Sequence, residues 1–407
     1  MIDLDKPLSL MSKEFQEHKF DVYRYLRENK PVHMASIMGM KIVVTAGYED
    51  CLRVVKSDEF GRNRTTITGG GKAPFPLPKS IRALSESMIL EDDPEHRRLR
   101  SLVQKAFTPK HLHAMEPGMI ALCHDLLDQM PRQEPVDLLS AYATAVPVEM
   151  IRRMMGVGQE DIEELRGSIK ALSEGLSGWN VVRTLLWDLR NTKKFVERLI
   201  ADKRVNPGDD ILSELLAAEE EGDRLSHDEL VSMVFLLIIA GFETTSHLIS
   251  NSVVTLQAEA DQRQRLLEKP ELMGSAVEEL LRFTGPIHGT KMNYARQDMD
   301  IGGYPIAKGK PVMPLVMSAN RDPAMFDDPD TFNISRDPNR HLSFSQGNHF
   351  CLGAFLARME TRVALTVLNE RAPHLQLAVP PDQLPLQKLP GWHRYTQMPV
   401  ILGESPA

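Results

Sequence analysis

The chain has 407 residues, of which 42% are hydrophobic and 26% charged, and 48 Lys and Arg against 56 Asp and Glu give a formal charge of −8. That mixture is globular: it excludes a disordered, collagen-like or coiled-coil chain, and the acidic balance argues against a general nucleic-acid binder. The three cysteines, Cys51, Cys123 and Cys351, are too scattered for a disulfide framework, so a reducing, cytoplasmic compartment is expected.

In chain order, charge begins at residue 3, which leaves neither a signal h-region nor a membrane anchor. Lys13 to Asn29 reads as helix. KPVHMASIMGMKIVVTA reads as a hairpin with Gly39 at its turn. The glycines and prolines of Thr65 to Ser80 argue for irregular chain. From Asp93 to about Ala276 nearly everything is helical, with breaks expected at Pro117, Pro131 to Pro135, Gly156 to Gly158 and Asn206 to Gly208. Ser226 and Glu229 form an S-x-x-E capping box. It opens a proline-free helix to about Glu259, roughly 50 Å long at 1.5 Å per residue. The apolar run Val231 to Phe242 inside it is too short to cross a bilayer. AGFETTSH, Ala240 to His247, places a carboxylate, two threonines and a histidine mid-helix, and buried charge is costly unless paired or useful. A β-like stretch follows from His288 to Met317, then Pro/Asp-rich irregular chain, one helix after Cys351 and short β segments. Without repeats or linkers, the expectation is a single domain over 1–407, mainly α with a minor β portion made from distant segments.

Cys51 and Cys123 sit in helical patterns and read as ordinary core or surface thiols. Cys351 lies in FSQGNHFCLGAFLARMETRVALTVL, between Gly347 and Gly353, which let backbone approach closely. Leu352, Phe355, Leu356, Met359, Val363 and Val367 then follow helical spacing. The cysteine therefore lies at a helix start, where free N–H groups and the dipole favour a thiolate. This suits a metal ligand or a nucleophile. No second Cys or His has zinc spacing, and His349, two residues away, is an awkward catalytic partner.

FSQGNHFCLG resembles F-G-x-G-x-H-x-C-x-G, the haem-binding signature of the cytochrome P450 superfamily, whose iron ligand is a cysteine thiolate. Four further stretches match that family in order: DDPEHRRLR from Asp92, AGFETT from Ala240, E-L-L-R from Glu279, and SANRDPAMFDDPDTF from Ser318. Thr244 to Glu279 spans 35 residues and Glu279 to Cys351 spans 72. The resemblance covers most of the chain and is nearest to soluble bacterial members of secondary metabolism. It implies the cytochrome P450 fold, with a long central helix crossing the haem, and haem b bound through Cys351.

The resemblance also implies roles. Cys351 is the metal ligand and pushes electron density toward dioxygen. Phe344 packs beside the sulfur, and Gly347 and Gly353 shape the haem loop. His96 and Arg100, on one helix face, hold a propionate together with His349. Glu279 and Arg282 form a structural pair. Glu243 and Thr244 are the acid–alcohol pair that moves protons toward dioxygen. Ala240 and Gly241 leave room above the haem, and Thr245 bonds back to a helical carbonyl. The chain departs from the family at three points. Ser345 replaces the first loop glycine, Asn293 stands where a propionate-binding arginine is usual, with Lys291 as its substitute, and Thr331 replaces an arginine, leaving Arg336 to meet Glu279.

GGGKA, Gly69 to Ala73, lacks Walker spacing, and no dinucleotide fingerprint is present. Electrons are therefore expected from a separate protein, and the resemblance implies a ferredoxin-type donor and its NAD(P)H-dependent reductase. Arg97, Arg98, Lys105, Lys110, Arg358 and Arg362 form either its docking patch or an ordinary solvated face. The expected activity is monooxygenation of an apolar small molecule by a monomer without membrane or nucleic-acid partners. A peroxide-driven peroxygenase of the same fold and a haem sensor or carrier without turnover are the alternatives. The expected pocket walls are the 61–90 loop, the 165–195 region, Ala240 to Thr244, Pro286 to Met292 and the Trp392 region, with His288, Met292 and Trp179 as specific contacts.

Overall fold

A computed structural model describes residues 5–70, 87–174, 188–220 and 225–404. Alternating apolar residues build a six-stranded sheet from β1 (Leu8–Ser9), β2 (Val32–Ile37), β3 (Met40–Thr45), β4 (Phe60–Gly61), β5 (Asn293–Ala295) and β6 (Pro311–Pro314), in the order β1-β2-β3-β6-β5-β4. β2 and β3 form the expected hairpin, with Ile37 opposite Met40. Met38 and Gly39 at the turn have φ of 48° and 82°, the left-handed pair that a tight hairpin turn requires. Ala35, Ile42 and Val44 cover Tyr23 and Leu26 of α1 (Lys19–Asn29). The helix expected from Lys13 is interrupted at His18, whose φ of −123° leaves the helical region.

The helical bulk is organised around one long element. We label α2 (Tyr48–Lys56), α3 (Glu95–Ala106), α4 (Pro109–Asp128), α5 (Ala145–Met154), α6 (Leu189–Val205), α7 (His227–Ala258), α8 (Met273–Thr284) and α9 (Ala354–Arg371). α7 opens with the capping box: Glu229 N–H donates to Ser226 Oγ at 3.3 Å and Ser226 N–H to Glu229 Oε2 at 2.6 Å. It packs against α5, α6, α8 and α9. α7 has the length and apolarity to cross a membrane, but 67% of its most apolar stretch is buried inside the protein, so it is a core helix. Pro117 does not break α4. A proline inside a helix removes one N–H donor, and here Leu112, Met119, Cys123 and Leu127 on the same helix are anchored in the core.

The minor β portion joins distant chain, as expected. Gln376–Leu377, Pro399–Ile401 and Val136–Asp137 form a three-stranded sheet, and Met299–Ile301 pairs with Tyr304–Ile306 across Gly302 and Gly303. α8 is tied down by its Glu279–Arg282 pair at 2.8 Å, both side chains fully buried. Glu279 also receives the Arg336 guanidinium at 3.2 Å, the Asn333 N–H at 2.9 Å and the Asn339 amide at 3.1 Å. Arg336 thus does meet Glu279, and the carboxylate carries enough donors to stay buried.

Candidate functional site

The three cysteines separate by environment. Cys51 and Cys123 are buried, which pushes their thiols up to about 12 and about 11. Cys351 is surrounded by protein, yet its side chain stays accessible, so it lines an internal cleft. Its N–H donates to Phe344 O at 2.9 Å, closing the loop. Gly347 has φ of 72°, and a Cβ there would meet Val55 O at 3.0 Å and Lys56 Cα at 3.1 Å. That glycine lets the loop dock on the end of α2. Gly353 has open space where a Cβ would stand. Phe344 is nearly buried, with the Arg358 guanidinium 4.5 Å over its ring. Ser345 has φ of 61° and a buried hydroxyl without a partner.

Burial acts on Cys351 against the helix start, whose Gly353 N–H does lower the thiol as expected. Burial raises the thiol most, and the Gly353 N–H and the charges of Arg100 and Arg358 only partly offset it. Desolvation outweighs the backbone donor. A thiolate in this cleft needs a cation on the sulfur itself, as a metal ligand has.

Beside the loop is a cationic cluster. α3 places His96 and Arg100 one turn apart, and the His96 ring lies 4.2 Å from that of His349. Burial lowers the His96 imidazole, and His349 is pushed down to about 3 by burial and then by the charges of Arg62, His96 and Arg100. Burial likewise lowers the Arg100 guanidinium. Arg62 is 6% exposed, and its Nε and Nη1 have no hydrogen-bond partner. Burial pushes it down to about 10. Lys291 is lowered by burial and then by Arg62. The nearby carboxylates have several partners, and Asp93 meets His96 at 3.4 Å. Asp92 accepts from the Arg62 and Asn63 N–H groups and pairs with Arg296, and Asp93 pairs with Arg97 at 2.7 Å. Asn293 is buried, and its amide donates to Lys291 O at 3.1 Å.

On α7, Glu243 is buried and forms an ion pair with Arg394, whose guanidinium sits 5.4 Å over the Trp392 ring. The back-bonding threonine is Thr244 rather than Thr245: Thr244 Oγ1 donates to Ala240 O at 2.7 Å. Thr245 is buried and bonds Glu360, whose carboxyl burial raises to about 8. Gly241 is explained by packing, since a Cβ there would meet Ile151 Cδ1 at 3.1 Å. Ala240 is exposed in the middle of a core helix, so this face of α7 opens on a cleft.

Other expectations shift. His288 is not a pocket contact: it is fully buried, 3.2 Å from Tyr23 Oη and stacked on His393. Met292 packs against the sheet's core cluster. Trp179, with 71–86 and 175–187 of the expected pocket walls, lies outside the described residues. The basic patch is largely neutralised. Arg97 pairs with Asp93, Arg98 with Glu95 and Glu229, Arg358 with Glu278 and Arg362 with Glu116. Lys105 is exposed, and the Lys110 side chain is outside those described. Arg62 and Arg394 were not legible as site residues. Their partners lie far away in sequence, and no local periodicity marks them.

The residues fit a haem. The cleft offers one thiolate donor, and a buried guanidinium with two unpartnered N–H groups calls for an anion such as a carboxylate. The comparisons with known proteins agree. The cytochrome P450 family model matches residues 7–269 and 253–384. The polyketide biosynthesis cytochrome P450 PksS of Bacillus subtilis (strain 168) is 34% identical over 397 residues, 96% of this chain and 98% of that protein. Its solved structure superposes with a TM-score of 0.89, covering 97% of this chain and 99% of that one. The vitamin D(3) 25-hydroxylase of Pseudonocardia autotrophica is 35% identical, covering 98% and 97% of the two chains. P450BioI, solved with a hexadec-9Z-enoic acid-ligated acyl carrier protein, is 34% identical with a TM-score of 0.86, covering 96% and 99%. Fold, site chemistry and kinship converge: the chain belongs to the cytochrome P450 family, oxidoreductases whose haem is held by a cysteine thiolate.

Proposed function

We propose that Cys351 is the haem-ligating cysteine of a monooxygenase that puts one oxygen atom of dioxygen into an apolar small molecule. The observation that carries this is the accessible sulfur of Cys351 in a cleft beside a buried guanidinium, Arg62, with two unpartnered N–H groups, while the other two cysteines are buried. When bound, haem supplies the redox chemistry that activates dioxygen. The protein's part is to position, to exclude water and to move protons. Phe344 and the loop carbonyl it contributes shield the sulfur. His96, Arg100 and His349 hold haem carboxylates. The Thr244 hydroxyl spends its proton on Ala240 O, so toward the cleft it offers lone pairs that accept from a water or hydroxyl. Glu243 is locked to Arg394. To pass protons between solvent and Thr244 it must rotate away from that guanidinium, so Arg394 sets how readily the relay opens.

The ligand assignment is tested by the reduced carbonyl spectrum. Cys351→His should lose the strongly red-shifted band of a thiolate haem, and Cys51→Ala and Cys123→Ala should keep it. A normal band in Cys351→His removes the assignment.

The electron donor we propose is a separate ferredoxin with an NAD(P)H-dependent reductase, because the sequence carries no nucleotide-binding fingerprint of its own. The Glu243–Thr244 pair favours this over a peroxide-driven reaction, which needs no such relay. Product formation with peroxide alone, equal to that with reduced ferredoxin, would reverse the preference. For substrate we propose an apolar polyketide, fatty acyl or steroid-like molecule, the classes named for the relatives. A spectral binding screen across the three classes tests it, and no spectral shift with any member removes it.

A further inference from the structure

The place where the family has a propionate-binding arginine holds Asn293 here, and that side chain is turned onto its own backbone at Lys291 O. β4 and β5 pair antiparallel, with Phe60 opposite Ala295 and Gly61 opposite Tyr294. The ladder ends there: Arg62 directly follows Gly61, and Asn293 directly precedes Tyr294, so the two residues are neighbours at the end of the pairing. Lys291 lies two residues before Asn293, just outside β5, and its carbonyl holds the Asn293 amide. Both cations therefore start from chain beside position 293.

Their state points to a missing anion. Arg62 is buried with two unpartnered guanidinium N–H groups, and Lys291, whose side chain stays accessible as that of Cys351 does, lies close enough to Arg62 for the two charges to oppose each other. Like charges do not gather in a protein interior without a counter-charge. Among the described residues, Asp92 is held by the Arg62 and Asn63 N–H groups and by Arg296, and Asp93 by Arg97 and His96; the Asp92 charge offsets the burial of Arg62 only in part, and neither carboxylate bonds its Nε or Nη1.

We infer that Arg62 and Lys291 jointly replace the absent arginine and bind a carboxylate of the haem. This rests on the haem reading above. The planar guanidinium of Arg62 can meet both oxygens of a carboxylate, and Lys291 adds a point charge. Asn293 serves only to shape the strand.

The test is haem transfer from the ferric holoenzyme to excess apomyoglobin. Arg62→Gln and Lys291→Gln should each lose haem about tenfold faster, which corresponds to about 1.4 kcal/mol, the scale of one charge-assisted hydrogen bond. The double variant should lose it faster still, and adding Asn293→Arg to the double variant should restore most of the retention. The ferric/ferrous potential should fall in both single variants, because a cation beside the haem stabilises the reduced state. Unchanged haem loss in both, with faster loss in Arg100→Gln, overturns the inference and leaves the haem reading intact. So does faster loss that Asn293→Arg cannot reverse, which would mark general damage. Weaker binding of carboxylate substrates with unchanged haem loss would instead make these cations part of a substrate site and also overturn the inference. Failure of the haem reading itself shows separately, as the absence of a Soret band from the purified wild-type protein after incubation with haem.

Discussion

Ser345 offers a clean measurement of backbone strain in the cysteine loop. Its φ of 61° places a side-chain-bearing residue in the left-handed region, and its buried hydroxyl has no partner. The left-handed conformation costs roughly 1–2 kcal/mol for such a residue, and burying an unmatched hydroxyl costs about 1–3 kcal/mol. Ser345→Gly relieves both but adds about 0.4–1 kcal/mol of unfolded-state entropy. The expected net gain is about 1–4.5 kcal/mol. Ser345→Ala removes only the hydroxyl and keeps the strain, so it should recover the smaller, hydroxyl share. Thermal and urea unfolding of the haem-loaded protein, followed by circular dichroism and by the Soret band, gives the series. The order should be Gly above Ala above wild type. A Gly variant no more stable than the Ala variant would refute the strain argument. A Gly variant less stable than wild type would show that the serine makes a contact worth more than its strain.

Four further outcomes are expected. Glu279→Ala leaves Arg282 and Arg336 without their shared carboxylate and should cost about 3–5 kcal/mol, read as loss of folded, haem-loaded protein; a cost below about 1 kcal/mol would contradict the buried network. Glu360 keeps its proton in the folded state up to about 8 but releases it near 4.5 when unfolded. The folded state binds the extra proton between those values, so stability should decline as pH rises through that window, by up to about 1.4 kcal/mol per pH unit. Glu360→Gln should flatten the decline, and an unchanged slope would exclude this carboxyl as its source. Thr244→Ala should bind substrate and consume NAD(P)H at near-normal rates while diverting electrons to hydrogen peroxide; an unchanged ratio of product to NAD(P)H leaves Thr244 only its bond to Ala240 O. Because most of the proximal arginines are already paired, reduction by ferredoxin should depend only weakly on salt. A steep fall in rate between low and physiological ionic strength would mean that these pairs open on docking.

The local and near-local features were legible without a fold. The capping box of α7, the Met38–Gly39 turn, the Gly302–Gly303 turn and the helix after Cys351 each depend on residues a few positions apart, where periodicity and turn chemistry act directly. The ordered series of motifs around Cys351, Glu279 and Thr244 was equally readable, because each motif is short. Pro117 was misjudged because helix propensity is local, whereas α4 is held in place by side chains packed in the core. What only the tertiary structure decided are the pairings between distant segments. Arg394 reaches Glu243 from 151 residues away, Arg62 comes near Asn293 only because β4 pairs with β5, and His288 leaves the pocket because Tyr23 and His393 enclose it. The same holds for the surroundings of Cys351: the helix start supplies the Gly353 N–H, but the burial and the charges of Arg100 and Arg358 come only from the assembled cleft. Desolvation and charge pairing depend on everything that surrounds a group, and those surroundings exist only once the chain has folded.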